Sequence, residues 1–204
     1  MALRIAHVVS IAFVVVAATA GCRVSAPARF YTLASTASTD GAPAANYAVA
    51  VGPVSVPASV DRPQFVVQVA PNRVAVDEFN RWVAPLDESI ARAVAGNLAV
   101  LLGTPRVATA PLANFDPAYR VTIAVQRFDS IPGVAVVIEA VWTIRNVADG
   151  GTRSGRSVAR EAAQGEGFEA LAAAHSRALA SMSSDIAAAI RAEAGSHGVL
   201  GVSR

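Results

Sequence analysis

The chain has 204 residues, 53% of them hydrophobic and 16% charged, a size and composition that fit one globular domain rather than a membrane-embedded protein. Its 17 basic residues, all arginine, are nearly balanced by 15 acidic residues. The sequence therefore lacks the basic footprint of a nucleic-acid-binding protein.

The N-terminus has the three-part layout of an export signal. A short positive segment ends at Arg4, an apolar stretch covers residues 5–18, and small residues lead to Cys22. The apolar stretch is shorter than the roughly 20 residues that a transmembrane helix needs. These features predict a cleaved signal peptide over residues 1–21.

Cys22 is the only cysteine, so it cannot form an intramolecular disulfide after export. The segment Thr19-Ala20-Gly21-Cys22 resembles a bacterial lipobox, in which the residue after the cleavage site is a cysteine diacylated on its sulfur. Cys22 is thus the predicted lipidated N-terminus, and several acyl chains would hold it stably in a membrane. Thr19 replaces the usual aliphatic residue, which leaves an ordinary signal cut near Ala20, with a free thiol, as the alternative.

Residues 22–46 are predicted to form the lipid-anchored N-terminal segment. Within it, the small and polar residues 34–46 have no hydrophobic periodicity and indicate a flexible tether or loop. The aromatic run 30–33 favours a short strand docked on the domain, with a place in the tether as the alternative. The folded domain is predicted over residues 47–194.

Three short strands are predicted next. Alternating or continuous apolar residues mark strands at 47–54 and 65–69, and residues 74–76 return after a turn at Pro71-Asn72. Prolines at 53, 57 and 63 confine this region to sheet edges and bends, because proline has no backbone N–H to donate.

A helical period begins at Leu86 and predicts a helix over residues 86–102. Asp87 and Glu88 suit the positive N-terminus of that helix, and Gly103 suits its end. The predicted buried stripe comprises Ile90, Val94, Leu98 and Leu101.

The second half of the chain predicts a hairpin followed by a helix. Residues 120–128 and 134–147 alternate around a turn at Pro132-Gly133, and 155–161 adds a third strand. A helix begins near Phe168 and frays after Ala194-Gly195, which leaves a disordered tail over 195–204. The predicted fold is a two-layer α+β domain, with two main helices on a mixed, mostly antiparallel sheet. The predicted apolar stripe of the last helix comprises Leu171, His175, Leu179, Met182, Ile186 and Ile190.

The sequence predicts neither a catalytic residue, a metal site nor a cofactor. No Gly-x-Ser-x-Gly elbow occurs. Of the three histidines, His7 would leave with the signal peptide and His197 lies in the predicted tail, so the histidines alone cannot build a metal cluster. His175 lies beside Ser176, but neighbours on a helix point in different directions. A structural role for His175 is therefore favoured over a catalytic one.

The run Glu78-Phe79-Asn80-Arg81-Trp82 is the candidate for an exposed contact surface, since tryptophan and arginine are enriched in interface hot spots. A structural role for the same residues fits the sequence equally well. In that alternative, Phe79 and Trp82 close the core and Arg81 pairs with a nearby residue.

Several short segments run in a characteristic order across the mature chain. These segments are Phe30-Tyr31-Thr32-Leu33, Val51-Gly52-Pro53-Val54, Val60-Asp61-Arg62-Pro63-Gln64, Arg81-Trp82-Val83-Ala84-Pro85-Leu86-Asp87, Glu139-Ala140-Val141-Trp142 and Ala174-His175-Ser176-Arg177-Ala178-Leu179. In them the chain resembles the ABC-type transport auxiliary lipoproteins, a family that includes the PqiC-like lipoproteins of intermembrane transport systems.

The resemblance implies a periplasmic lipoprotein that docks to an MCE-domain protein and its transporter complex while lipid moves between the membranes. Arg23 after the cysteine, where an aspartate is absent, implies sorting to the outer membrane by similarity to Gram-negative lipoproteins. Both a monomer and a homo-oligomer fit this role. The residues predicted to form or brace the docking surface are Asp61, Arg62, Arg81, Trp82 and Asp87.

Two alternatives from other classes remain beside the transport role. The first is a structural or assembly lipoprotein of the outer membrane with no part in transport. The second and weaker one is a hydrolase that uses His175.

Overall fold

The computed structural model describes residues 26–109 and 114–200. The predicted signal peptide, Cys22 and residues 201–204 lie outside the described residues. The mixture of helices and strands confirms the predicted α+β class. In chain order the elements are β1 (Arg29–Tyr31), β2 (Val49–Ser55), β3 (Gln64–Ala70), β4 (Arg73–Trp82), α1 (Leu86–Leu101), β5 (Val107–Thr109), β6 (Tyr119–Ile131), β7 (Ala135–Asn146), β8 (Thr152–Ala162) and α2 (Gly167–Leu200).

The strands form two mixed sheets, where the sequence predicts one. The larger sheet has the order β5-β2-β6-β7-β8, with β2 parallel to both neighbours and β6, β7 and β8 antiparallel. The smaller sheet has the order β1-β4-β3, in which β3 and β4 form an antiparallel hairpin. The separation follows from residues 56–63, an irregular segment with prolines at 57 and 63 that carries the chain away from β2.

Strand β2 is internal to the larger sheet, although its proline predicts an edge. Pro53 lies where the register between β2 and β6 shifts, between Val51 and Val54. The missing N–H of Pro53 therefore falls in a break of the ladder and removes no paired hydrogen bond.

The core lies between the larger sheet and the two helices. The apolar stripe predicted on α1 is buried, and so is the whole stripe of α2 from Leu171 to Ile190. Helix α2 continues past Ala194-Gly195, where the sequence predicts fraying. Gly195 does not take up the positive φ of a helix-ending glycine, so it costs helix stability without ending the helix.

Residues 34–46, here called the strap, form an irregular loop that is docked on both helices. The buried Asn97 of α1 accepts hydrogen bonds at its Oδ1 from the backbone N–H of Thr36 at 2.9 Å and of Ala37 at 3.0 Å. Farther along, the Asp40 carboxylate is 2.7 Å from Arg191 of α2, and this hydrogen bond lowers the pKa of Asp40. The strap is therefore a docked loop, whereas the sequence indicated a flexible tether or loop.

Candidate partner-binding site

A cleft of about 320 Å³ lies where residues 61–63 meet the turn between β4 and α1. Its two most buried members are Trp82 and Leu86, 5% and 2% exposed. Charged Asp61 and Arg62 stand at its rim. The other lining residues are Pro63, Val83, Ala84 and Pro85.

Backbone hydrogen bonds hold the two walls of this cleft together. The N–H of Trp82 donates to the Pro63 carbonyl at 2.7 Å, which joins the end of β4 to the segment before β3. The N–H of Val83 donates to the Tyr31 carbonyl at 3.0 Å, which ties the same turn to β1. The cleft is therefore built on three segments that are distant in the chain.

The Trp82 indole faces the core behind the cleft. It stacks on Phe65 with ring centroids 4.3 Å apart, and its edge contacts Phe128 at 6.1 Å. Aromatic pairs in these arrangements stabilise a core beyond the area they bury. Trp82 thus braces the cleft, as the core interpretation of residues 78–82 expects, whereas Phe79 is 45% exposed and does not close the core.

Arg81 and Asp87 lie beside the cleft and do not line it. The Arg81 Nε donates to the Glu78 carbonyl at 2.8 Å, and its guanidinium lies 3.7 Å from the Glu78 carboxylate. Asp87 occupies the first turn of α1, where its charge favours the helix N-terminus. The structure therefore brings together Asp61, Arg62 and Trp82 from the predicted set.

Within the described part of the chain, Asp61 and Arg62 are exposed and take part in no ion pair. An apolar floor with a charged, exposed rim has the anatomy of a protein-interface hot spot. The family resemblance was enough to single out Asp61 and Arg62 from the sequence. Only the structure shows that they line the same cleft as Val83 and Pro85.

A larger open cleft of about 970 Å³ separates residues 29–36 from the start of α2. Its walls carry Arg29 and Arg177 together with Glu166 and Glu169. Two basic and two acidic side chains balance one another in its lining, so the cleft favours no single class of ion.

His175 forms a buried pair with Ser130 of β6. The His175 Nε2 lies 2.8 Å from the Ser130 Oγ, and the imidazole stacks on Phe128 with centroids 3.9 Å apart. His175 is 0% exposed and Ser130 is 2% exposed. The His175 Nδ1 has no hydrogen-bond partner among the described residues, so nothing there orients the ring as a catalytic base requires.

Burial lowers the pKa of His175 to about 3, against 6.5 for an ordinary histidine. Between these pH values the unfolded chain binds a proton that the folded chain does not, so stability falls as the pH falls. The slope that His175 contributes is about 1.4 kcal/mol per pH unit. Urea unfolding from pH 7 to pH 4 should show this slope in the wild type and lose it in the double variant His175→Phe, Ser130→Ala.

Ser130→Ala alone is the control for that comparison, because it removes the hydroxyl and keeps the titrating ring. It should retain the full pH dependence. Parallel pH profiles of the wild type and the double variant would contradict a buried neutral His175.

No group of three His, Cys, Asp or Glu side chains within residues 26–109 and 114–200 is arranged to hold a metal ion. In the same residues, none of the helices has the length and apolar character needed to cross a bilayer.

A family model described as the ABC-type transport auxiliary lipoprotein component matches residues 31–187. The chain belongs to this family. The match begins at the last residue of β1 and spans the strap, the cleft at residues 61–63 and 82–86, and most of α2. Family membership makes the protein a membrane-associated lipoprotein that serves a transporter as an auxiliary component.

The chain is similar to several solved structures at low sequence identity, and the first two of these share its fold. An uncharacterised protein has a TM-score of 0.67 at 22% identity, over 81% of this chain and 99% of that chain. Protein XCC0632 from Xanthomonas campestris has a TM-score of 0.67 at 20% identity, over 78% and 93%. The PelC dodecamer from Paraburkholderia phytofirmans has a TM-score of 0.39 at 17% identity, over 70% and 91%. No curated protein sequence matches the chain.

Proposed function

We propose that this auxiliary lipoprotein is a non-catalytic docking subunit of an ABC/MCE-type system that moves lipid between membranes. Acylated Cys22 would anchor it to the periplasmic face of the outer membrane. The cleft carrying Asp61 and Arg62 would bind the MCE-domain partner or its transporter complex. No cofactor is needed for such a role.

One observation supports the docking role above the others. The cleft combines a rigid, buried aromatic floor with two exposed, oppositely charged side chains that are adjacent in the chain. Hot-spot arginines act where the surrounding surface is already organised, because little conformational entropy is then lost on binding. Trp82, held by Phe65 and by the Pro63 carbonyl, supplies that organisation.

The buried Ser130–His175 pair supports a non-catalytic role. A nucleophile and its base must reach a substrate, and both of these side chains are enclosed by the core. Their hydrogen bond instead joins β6 to α2 beneath the cleft.

The test is affinity capture of the tagged full-length protein from cell membranes, followed by mass spectrometry of its N-terminal peptide and of the proteins that co-purify. We expect an acylated Cys22 and an MCE-type transporter as the partner. An acylated Cys22 with only envelope-assembly proteins would favour the structural or assembly role. An unmodified thiol with no envelope partner would overturn both.

Arg62→Ala tests the cleft in the same capture, with Arg160→Ala as the matched control, since Arg160 is an exposed arginine on β8 that does not line the cleft. Loss of an arginine hot spot should reduce the captured partner about tenfold or more. Arg160→Ala should capture the wild-type amount. Equal capture by both variants, each with a wild-type melting temperature, would remove the cleft from the proposal.

A further inference from the structure

The exposed apolar side chains are concentrated on one part of the molecule. Among the described residues, most of the large apolar side chains that are exposed lie on or next to the three-stranded sheet. Clustered exposure of this kind marks an interaction surface, whereas single exposed apolar residues do not. The clustered residues are Phe30 (61% exposed), Val69 (45%), Val74 (60%), Val76 (39%), Phe79 (45%) and Val83 (57%).

The tip of the β3–β4 hairpin is apolar on both faces. Val76 and Val74 lie on one face, opposite Val66 and Gln68 of β3. On the other face, Phe65 and Val67 are buried in the core but Val69, two residues nearer the tip, is exposed. The hairpin therefore extends beyond the core, and the valines near its tip are exposed to solvent.

The N-terminal end of strand β1 points toward this tip. Strand β1 is parallel to β4, with Arg29 opposite Asn80, and β4 runs from the tip at Arg73 toward Trp82. At Arg29 the backbone of β1, followed toward the N-terminus, therefore points back along β4 toward the tip. A lipid anchor upstream of Arg29 would approach the domain from that side.

Because β1 is paired with β4, only residues 23–28 connect Cys22 to the first strand of the domain. Even fully extended, that connection spans at most about 25 Å. Residues 73–80 of β4 span about 24 Å or less at the usual rise of a strand. A membrane that holds Cys22 is therefore within reach of the hairpin tip.

We infer that the tip of the β3–β4 hairpin docks on the lipid bilayer that holds the acylated Cys22. This inference rests on the lipid anchor of the proposed function. The exposed valines enter the interfacial region, where burial of apolar area stabilises binding. Residues 64–76 contain Arg73 and no Asp or Glu, so the hairpin also suits the phosphates of the headgroups.

The test uses the mature chain beginning at Cys22, with its single thiol coupled to a maleimide lipid in phosphatidylcholine vesicles whose acyl chains are brominated. The reporter is a tryptophan introduced by Val74→Trp. Val158→Trp on β8 is the matched control, because Val158 is 61% exposed and Val74 is 60% exposed. The native Trp82 and Trp142 are buried and contribute the same background to both variants.

We expect brominated lipid to quench about half or more of the added fluorescence of Val74→Trp and to leave Val158→Trp unchanged. Equal quenching of both variants, or of neither, would overturn the inference. A blue shift of Val74→Trp that rises with protein concentration and needs no vesicles would assign the hairpin to a second copy of the chain instead. Chemical coupling supplies the anchor in every variant, so a negative result would say nothing about whether Cys22 is acylated in cells. The capture experiment tests that acylation separately.

Discussion

Replacing Trp82 with alanine should lower the free energy of unfolding by about 3–5 kcal/mol, the range for losing a buried large aromatic side chain. Trp82 is 5% exposed and stacks on Phe65, and its edge contacts Phe128. The cavity left by the indole would lie directly under the cleft. Urea unfolding at pH 7, followed by circular dichroism, measures this loss.

Val83→Ala is the neighbouring control, since Val83 is 57% exposed and its loss should change stability by less than about 0.5 kcal/mol. A loss below about 1 kcal/mol for Trp82→Ala would show that the indole does not brace the cleft. Because the expected loss is large, reduced partner capture by Trp82→Ala cannot be assigned to a lost contact. Arg62→Ala is the variant that tests docking itself.

Replacing Asn97 with leucine should release the strap and lower the free energy of unfolding by about 2–4 kcal/mol, since several buried hydrogen bonds are lost together. Asn97 is 0% exposed, and its Oδ1 accepts from Thr36 and Ala37 while its Nδ2 donates to the Ser183 Oγ at 3.3 Å. Leucine fills a similar volume but accepts no hydrogen bond. Amide hydrogen exchange at residues 36 and 37 should become faster together with the loss of stability.

Ser35→Ala is the matched control for the strap. The Ser35 Oγ also donates to the Asn97 Oδ1, at 3.0 Å, but its removal leaves both backbone donors paired. It should cost about 1 kcal/mol or less and leave the exchange of the two amides slow. Unchanged exchange in Asn97→Leu would mean that the strap is held by its other contacts, such as the Asp40–Arg191 pair.

The two helices and the β6–β7 hairpin were predictable because their signals are local. The spacing of Ile90, Val94 and Leu98 places them on one helical face. Such an apolar face is buried in the core regardless of how distant segments of the chain are arranged. The alternation in residues 134–147 likewise determines which side of β7 is buried. Burial of one face is enough to select the element.

The strap and the cleft were not predictable in the same way. Residues 34–46 are small and polar, as in a tether, and only Asn97 on the apolar side of α1 hinted that a buried acceptor needed donors from elsewhere. The cleft depends on hydrogen bonds between Trp82 and Pro63 and between Val83 and Tyr31. Such pairings between distant segments leave no periodicity in the sequence.

The sequence by itself predicted the export signal and the lipid anchor at Cys22, and it correctly indicated the α+β class and the family, because each of these depends on residues near one another in the chain. The tertiary structure alone decided that the strands divide into two sheets, that the strap is docked, and that Trp82 faces inward while Asp61 and Arg62 face solvent. It also decided that β1 is parallel to β4, so that the N-terminal end of β1 points toward the hairpin tip. Sheet register and side-chain exposure depend on which distant segments meet, and that choice is made by packing the whole core at once.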